Sequence, residues 1–167
     1  MNQTVENLVK VLEKEDALYG ELDKLLVEEL EVLRKLNMSR IEEILGQKAI
    51  LLGHVHRLET ERATLMLRLA TEQGISNENP RLHELVRRIP APWAGRLLDL
   101  RKRLRARIEN VNERATWNGQ YVQGFVQVMD GVMESLRAAV AGPGVYGKSG
   151  QAGRNGVVSG ELLRQAI

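Results

Sequence analysis

Residues 93–140, WAGRLLDLRKRLRARIENVNERATWNGQYVQGFVQVMDGVMESLRAAV, decide the fold. Their apolar side chains recur in steps of mostly three and four residues, the period of a long helix that lies in a seam with other helices. The seam positions are Trp93, Leu97, Leu100, Leu104, Ile108, Val111, Ala115, Val122, Phe125, Met129, Val132 and Leu136. At about 1.5 Å per residue this helix is roughly 70 Å long. The rest of the chain is therefore predicted to run alongside it.

One seam position is polar, and the second half of the helix is rich in glycine. The position after Ala115 is Asn118. A buried Asn lowers stability but fixes register and partner choice, while a surface Asn at a slightly drifted phase is an equally good interpretation. Gly119, Gly124 and Gly131 each cost a helix about 1 kcal/mol relative to Ala. We therefore expect the second half to be less stable than the Leu- and Arg-rich first half.

The chain before this stretch predicts a first long helix near residues 4–36. Its seam consists of Val5, Leu8, Leu12, Tyr19, Leu22, Leu26, Leu33 and Leu36. Glu15 and Glu29 fall on the same heptad phase, so the apolar stripe is expected to drift or to be interrupted there.

A second long helix is predicted near residues 39–73. Ser39 and Glu42 have the spacing of a capping box at its start, and Gly74 is a suitable C-terminal cap. Because only a few residues connect the two helices, they should form an antiparallel hairpin.

A short helix near residues 80–89 should join the hairpin to the long third helix, near 92–140. Asn79 and Pro80 fit its N-cap and first helical position. The fold class is thus predicted to be all-α: an elongated antiparallel helical bundle or coiled coil, with one short helix and a flexible tail.

The composition changes abruptly after residue 141, which predicts a helical domain at 1–141 and a flexible tail at 142–167. Seven of the 15 glycines lie between Gly142 and Gly160, and little there offsets the entropy of ordering the chain. The end of the tail has one apolar helical face that needs a partner. The residues predicted to bind a partner are Tyr146, as an aromatic anchor, and Val157, Val158, Leu162, Leu163 and Ile167.

The net charge of +2 conceals an asymmetry. Residues 1–61 hold 13 acidic and 8 basic side chains, whereas residues 81–107 hold 9 basic and 2 acidic ones. The favoured interpretation is an acidic hairpin beside a basic helix, and the alternative is a nucleic-acid surface. The basic run is Arg96, Arg101, Lys102, Arg103, Arg105 and Arg107.

Several classes of function have no support in the sequence. The absence of cysteine excludes a thiol nucleophile and a Cys-ligated metal. His54 and His56 lie two residues apart on a helix and point to different faces, so they form no metal pair. No motif indicates catalysis or a cofactor, and no segment resembles a signal peptide or a membrane span. We expect a cytoplasmic protein that is not an enzyme.

In this layout the chain resembles the FlgN-type flagellar export chaperones over nearly its whole length. Three elements carry the resemblance: an E-x-L-x-x-K element in a Ser-capped second helix, an Asn-Gly pair followed by an aliphatic stripe, and a Tyr-Gly pair in the tail. Here they are Glu43-Ile44-Leu45-Gly46-Gln47-Lys48, Asn118-Gly119 and Tyr146-Gly147.

The resemblance implies a small cytoplasmic chaperone that holds the C-terminal helical segment of hook–filament junction (hook-associated) proteins. Such a chaperone prevents early assembly and delivers its substrate to the flagellar type III export gate. The residues predicted to bind substrate are Asn118, Phe125, Met129, Val132, Met133 and Leu136. A homo-oligomer is possible, and the alternatives are a coiled-coil adaptor or oligomerisation module without an export role and, less favoured, a nucleic-acid binder.

Overall fold

The computed structural model describes residues 2–76 and 80–140. They form four helices, α1 (Asn2–Arg34), α2 (Met38–Glu72), α3 (Leu82–Val86) and α4 (Ala91–Val140), and no strand within these ranges. The all-α fold class is confirmed. No helix in the described part combines the length and apolarity needed to cross a bilayer.

The chain divides into two units, Met1–Gln123 and Gly124–Ile167. The first holds α1, α2, α3 and most of α4, and the second is described only for residues 124–140. The predicted domain boundary at 141/142 coincides with the end of the described residues and stays a prediction.

The turn between α1 and α2 differs from the one expected. Helix α1 ends at Arg34, because Leu36 takes a left-handed backbone conformation with φ of 53°. Its side chain is 53% exposed, so Leu36 is not a seam residue. Helix α2 begins at Met38, and the Asn37 side chain accepts a hydrogen bond from the Arg40 backbone N–H at 3.2 Å. The N-cap is therefore Asn37, and the predicted cap at Ser39 is wrong.

The end of α2 confirms the predicted glycine cap. Gly74 has a φ of 67°, which is costly for any residue with a Cβ. Its N–H donates to the Thr71 carbonyl at 3.0 Å, and the Ile75 N–H donates to the Ala70 carbonyl at 2.9 Å. This pair of bonds is the Schellman motif, which satisfies the carbonyls at a helix C-terminus.

Helix α3 is shorter than predicted. Arg81 is extended and precedes the helix, and its N–H donates to the Glu84 carboxylate at 3.4 Å. Pro80 is therefore not the first helical residue, and the proposed cap at Asn79 lies outside the described residues.

Helix α4 begins one residue before the prediction and continues without a break to Val140. Pro92 lies in its first turn, where a missing N–H costs no intrahelical bond. The N–H groups of Trp93 and Ala94 donate to the Pro90 carbonyl at 3.1 and 3.0 Å. Proline thus marks the start of this helix without interrupting it.

The core of the first unit lies where all four helices meet. Its buried side chains come from the N-terminal part of α1, the C-terminal part of α2, α3, the α3–α4 connection and the beginning of α4: Val5, Leu8, Val9, Leu12, Leu69, Ala70, Leu85, Val86, Ile89, Leu97, Leu100 and Leu104. A smaller cluster joins Leu22 and Leu26 of α1 to Val111 of α4. This packing places α4 along α1 within the first unit.

The polar contacts give the directions of the helices in the first unit. Thr4 contacts Glu72 and Glu29 contacts Lys48, so α1 and α2 are antiparallel. Arg96 contacts Glu13 and Asn118 contacts Leu26, so α4 runs parallel to α1. The antiparallel hairpin is confirmed, and the long helix runs in the same direction as its first arm.

Candidate functional site

Two glutamates on α1 are buried at heptad positions. Glu15 and Glu29 are 1% and 6% exposed. The Arg62 Nε donates to Glu15 at 3.0 Å, and the Lys48 Nζ donates to Glu29 at 2.8 Å. Because cations of α2 pair with both carboxylates, the heptad face of α1 stays buried. The apolar stripe is interrupted by the two carboxylates, as expected, but both positions stay inside the contact with α2.

The ion pair with Arg62 compensates the burial of the Glu15 carboxylate only in part. Burial raises the pKa of Glu15, and Arg62 only partly opposes that shift. One oxygen, Oε2, has no hydrogen-bond partner among the described residues. The neighbouring Tyr19 hydroxyl donates to Glu59 at 3.3 Å, and burial together with Glu59 raises the pKa of Tyr19 to about 12. This region is a structural contact between α1 and α2, and the geometry supplies no reacting group.

Asn118 occupies a buried node that joins three helices. It is 5% exposed, and its side-chain Nδ2 donates to the Leu26 carbonyl at 2.8 Å and to Glu29 Oε2 at 2.7 Å. Glu29 accepts from Lys48 with its other oxygen. Of the two sequence interpretations, the buried seam Asn is confirmed. A polar seam residue satisfied in this way fixes the register of α4 on α1.

The basic run of α4 is largely paired with carboxylates. The Arg107 Nε lies 2.8 Å from Oδ1 of Asp16 on α1, and the Arg105 Nε lies 2.9 Å from Oε1 of Glu109 on α4. Arg96 pairs with Glu13, and Arg103 lies 4.0 Å from Asp16. These contacts support the intrachain interpretation of the charge asymmetry, and nothing in the described part of the chain specifically favours the nucleic-acid alternative.

The second unit presents an exposed apolar helix surface. Its described residues, 124–140, are all helical and all exposed. Five predicted substrate-binding side chains lie on one face of this helix, separated by four, three, one and three residues. Each is between 39% and 55% exposed: Phe125, Met129, Val132, Met133 and Leu136. We call these five residues the α4 face. The structure brings them together, whereas it buries the sixth predicted site residue, Asn118, in the first unit.

Four further apolar side chains, which the seam spacing does not predict, are exposed on α4. Val126 and Val128 widen the apolar surface of the second unit, and Trp117 and Tyr121 form an exposed aromatic pair at i,i+4 in the first unit. The sequence signal for all four is an apolar residue outside the seam positions. The predicted tail residues Tyr146, Val157, Val158, Leu162, Leu163 and Ile167 lie outside the described residues.

The histidines and acidic groups do not assemble a metal centre in the described ranges. His54 and His56 are both exposed on α2. No group of three or more His, Asp or Glu side chains in those ranges is arranged to hold an ion. The main candidate for a functional site in the described part of the chain is therefore the exposed apolar surface of α4.

Comparison with known proteins identifies a family. The model of the family described as FlgN protein matches residues 1–154, which is most of the chain. No match was found among curated proteins or among solved structures. The chain therefore belongs to the FlgN family, the family of chaperones for flagellum assembly and export.

Proposed function

We propose that this protein is a cytoplasmic chaperone for hook–filament junction (hook-associated) proteins and that the α4 face binds the C-terminal helical segment of its substrate. The observation that carries the proposal is the exposed apolar surface of residues 124–140 in a chain of the FlgN family. An apolar surface that stays open in the described structure favours binding to a partner. Binding holds the segment that would otherwise assemble early.

The chemistry of the α4 face suits an amphipathic helix. Its five side chains include Met129 and Met133, whose flexible thioethers adapt to different apolar partners. The spacing of the five residues matches the anchor positions of a helix that lies against another helix. Recognition by shape and burial requires no cofactor.

Asn118 has a positioning role in this proposal. Because its Nδ2 donates to Leu26 and Glu29, we assign Asn118 to positioning α4 and not to direct contact with the substrate. It holds the register of α4 on α1 within the first unit. The part of α4 that precedes the binding surface thereby keeps a fixed position along α1.

The tail completes the proposed cycle. Tyr146 is the proposed anchor, and the apolar residues between Val157 and Ile167 form a second contact with substrate or with the export gate. Two linked contacts bind more tightly than either one alone, so a tail that leaves the substrate for the gate would weaken the hold on the substrate. Truncation after Ala141 should leave the unfolding transition nearly unchanged and weaken binding to substrate or gate at least tenfold.

The decisive test of the α4 face is a double substitution, Met129→Asp with Val132→Asp. We expect at least tenfold weaker binding of the C-terminal segment of a hook-associated protein encoded in the same genome, measured by isothermal titration calorimetry. The two side chains are 44% and 47% exposed, so the unfolding midpoint should change little. Charged groups placed in an apolar contact lose their hydration without gaining a partner.

Gln127→Asp, which adds one negative charge on the opposite side of the helix, is the control. Residue 127 lies two positions from Met129, about 200° around the helix, and is exposed. The control should bind with wild-type affinity. Full affinity of the double variant would refute the assignment of substrate binding to the α4 face. If the wild-type protein dimerises and binds no flagellar substrate, the adaptor alternative would be favoured.

A further inference from the structure

The first unit contains a groove that the proposed function does not use. It has a volume of about 630 Å³ and lies among α1, α2, α4 and the residues at the start of α3. All of its lining residues belong to Met1–Gln123, so it shares no residue with the α4 face. Its α4 wall extends from Arg101 to Glu109, about 12 Å at the rise of a helix. That length accommodates roughly two turns of a bound helix.

The floor of the groove is apolar. It is made by leucines of α1, by Met66 of α2, and by side chains at the start of α3 and on α4: Leu8, Leu12, Met66, Leu82, Leu104 and Ile108. Leu8 and Leu12 are buried, whereas Met66, Leu82 and Ile108 are half-buried and remain partly accessible. The floor therefore offers apolar contact to a side chain that enters from solvent.

The rim is basic. Among the described lining residues, one is acidic, Glu109, and five are basic: Arg62, Arg81, His83, Arg101 and Arg105. Arg62 and Arg105 are paired with Glu15 and Glu109. Arg81 and Arg101 are exposed and make no ion pair with any described residue. Two guanidinium groups without an ion-pair partner in the described ranges thus border an apolar floor.

We propose that this groove docks an acidic amphipathic segment of a partner protein. Leucine-like side chains of that segment lie on the floor, and its flanking carboxylates pair with Arg81 and Arg101. Arginine forms bidentate bonds with carboxylates, which gives such a contact orientation as well as attraction. Among the described lining residues His83 is the only aromatic one, so the groove has no row of aromatic side chains on which successive nucleic-acid bases would stack.

The test uses the full chain and two fluorescein-labelled synthetic peptides of about two heptads. Both carry Leu on one helical face, and the flanking positions are Glu in one peptide and Lys in the other. Fluorescence anisotropy should show the Glu peptide binding at least tenfold more tightly than the Lys peptide. Arg81→Glu with Arg101→Glu should weaken binding of the Glu peptide at least tenfold, and Arg81→Gln with Arg101→Gln should weaken it by a smaller factor.

Arg87→Glu with Lys102→Glu is the matched control. Both residues are exposed, neither lines the groove, and the change in net charge is the same. The control should retain most of the affinity, because neither side chain lines the groove and salt weakens the attraction between exposed charges that are not in direct contact. Equal loss in both double variants would show that net charge, not the groove, attracts the peptide, and would overturn the proposal.

Two further outcomes would also overturn it. Displacement of the Glu peptide by poly(U) RNA, with RNA binding lost in the Arg81→Glu, Arg101→Glu variant, would assign the groove to nucleic acid. Loss of peptide binding in the Met129→Asp, Val132→Asp variant, with wild-type binding in the groove variant, would place the peptide on the α4 face. Neither result affects the proposed substrate contact, because each site is tested by its own variant.

Discussion

The two parts of α4 carry the same pattern and have different surroundings. Heptad positions in the first unit hold Leu97, Leu104 and Val111, which are all buried. The same heptad positions in the second unit hold Phe125 and Val132, which are exposed. An apolar heptad therefore specifies which face of a helix seeks a partner, and it does not specify whether the chain itself supplies that partner. In the second unit we assign that role to another protein.

The glycines sharpen this difference. In α4 the first unit has Gly95 and Gly119, and the second has Gly124 and Gly131. A Cβ added at any of these four positions would meet nothing within 4 Å. None of the four is therefore needed for close packing among the described residues. In the second unit, where no described side chain is buried, low helix propensity is their main physical effect.

The largest expected effect is the contrast between Leu97→Ala and Leu136→Ala. Leu97 is fully buried in the core, so its truncation should lower the free energy of unfolding by about 3 kcal/mol. Leu136 is 55% exposed, and its truncation should change that free energy by less than about 0.5 kcal/mol. Urea denaturation followed by circular dichroism measures both. Similar losses in the two variants would mean that Leu136 is buried in solution and that the comparison is wrong.

The polar node should give the next largest effect. Asn118→Ala removes two hydrogen bonds and leaves the buried Glu29 carboxylate with Lys48 alone. We expect the free energy of unfolding to fall by about 2 kcal/mol, the cost of an unsatisfied buried group. Asn110→Ala, at an exposed position on the same helix, is the control and should change it by less than about 0.5 kcal/mol. An unchanged Asn118→Ala protein would remove the register role from Asn118.

The predictable part of this structure is local. The seam spacing, the Gly74 cap and the hairpin follow from periodicity and from backbone preferences that neighbouring residues determine. The cap at Asn37 was missed because Asn37 and Ser39 are both able to cap a helix. The choice depends on the left-handed backbone at Leu36, which no local preference of leucine indicates.

The non-local part of the structure was less accessible from the sequence. Glu15 and Glu29 break the apolar stripe in sequence, and only the register of α2 shows that Arg62 and Lys48 lie opposite them. The basic groove draws its lining from four parts of the chain, so no single segment has a motif for it. The α4 face was found because its five residues lie on one helix and share one period.

The smallest expected effect comes from one Gly→Ala substitution in each part of α4. This pair of variants compares the stability of the two parts directly. Gly124→Ala should raise the local stability of the second unit by up to about 1 kcal/mol, because alanine restricts the unfolded chain and favours the helix. Hydrogen exchange of amides 120–136 should slow by up to about fivefold, while global unfolding stays unchanged. Gly95→Ala, at an equally open position in the first unit, should instead raise the global free energy of unfolding and leave those amides unaffected.

The same pair of variants predicts an effect on binding. If the second part of α4 is only partly ordered before substrate binds, Gly124→Ala reduces the entropy lost on binding and should tighten substrate affinity by up to about fivefold. Gly95→Ala should leave the affinity unchanged. In the wild-type protein, amides 97–110 should be more protected from exchange than amides 120–136. Equal protection of the two segments would show that the second part of α4 is as stable as the first. Its exposed apolar face would then already be ordered in the free protein, and Gly124→Ala would have little disorder to remove.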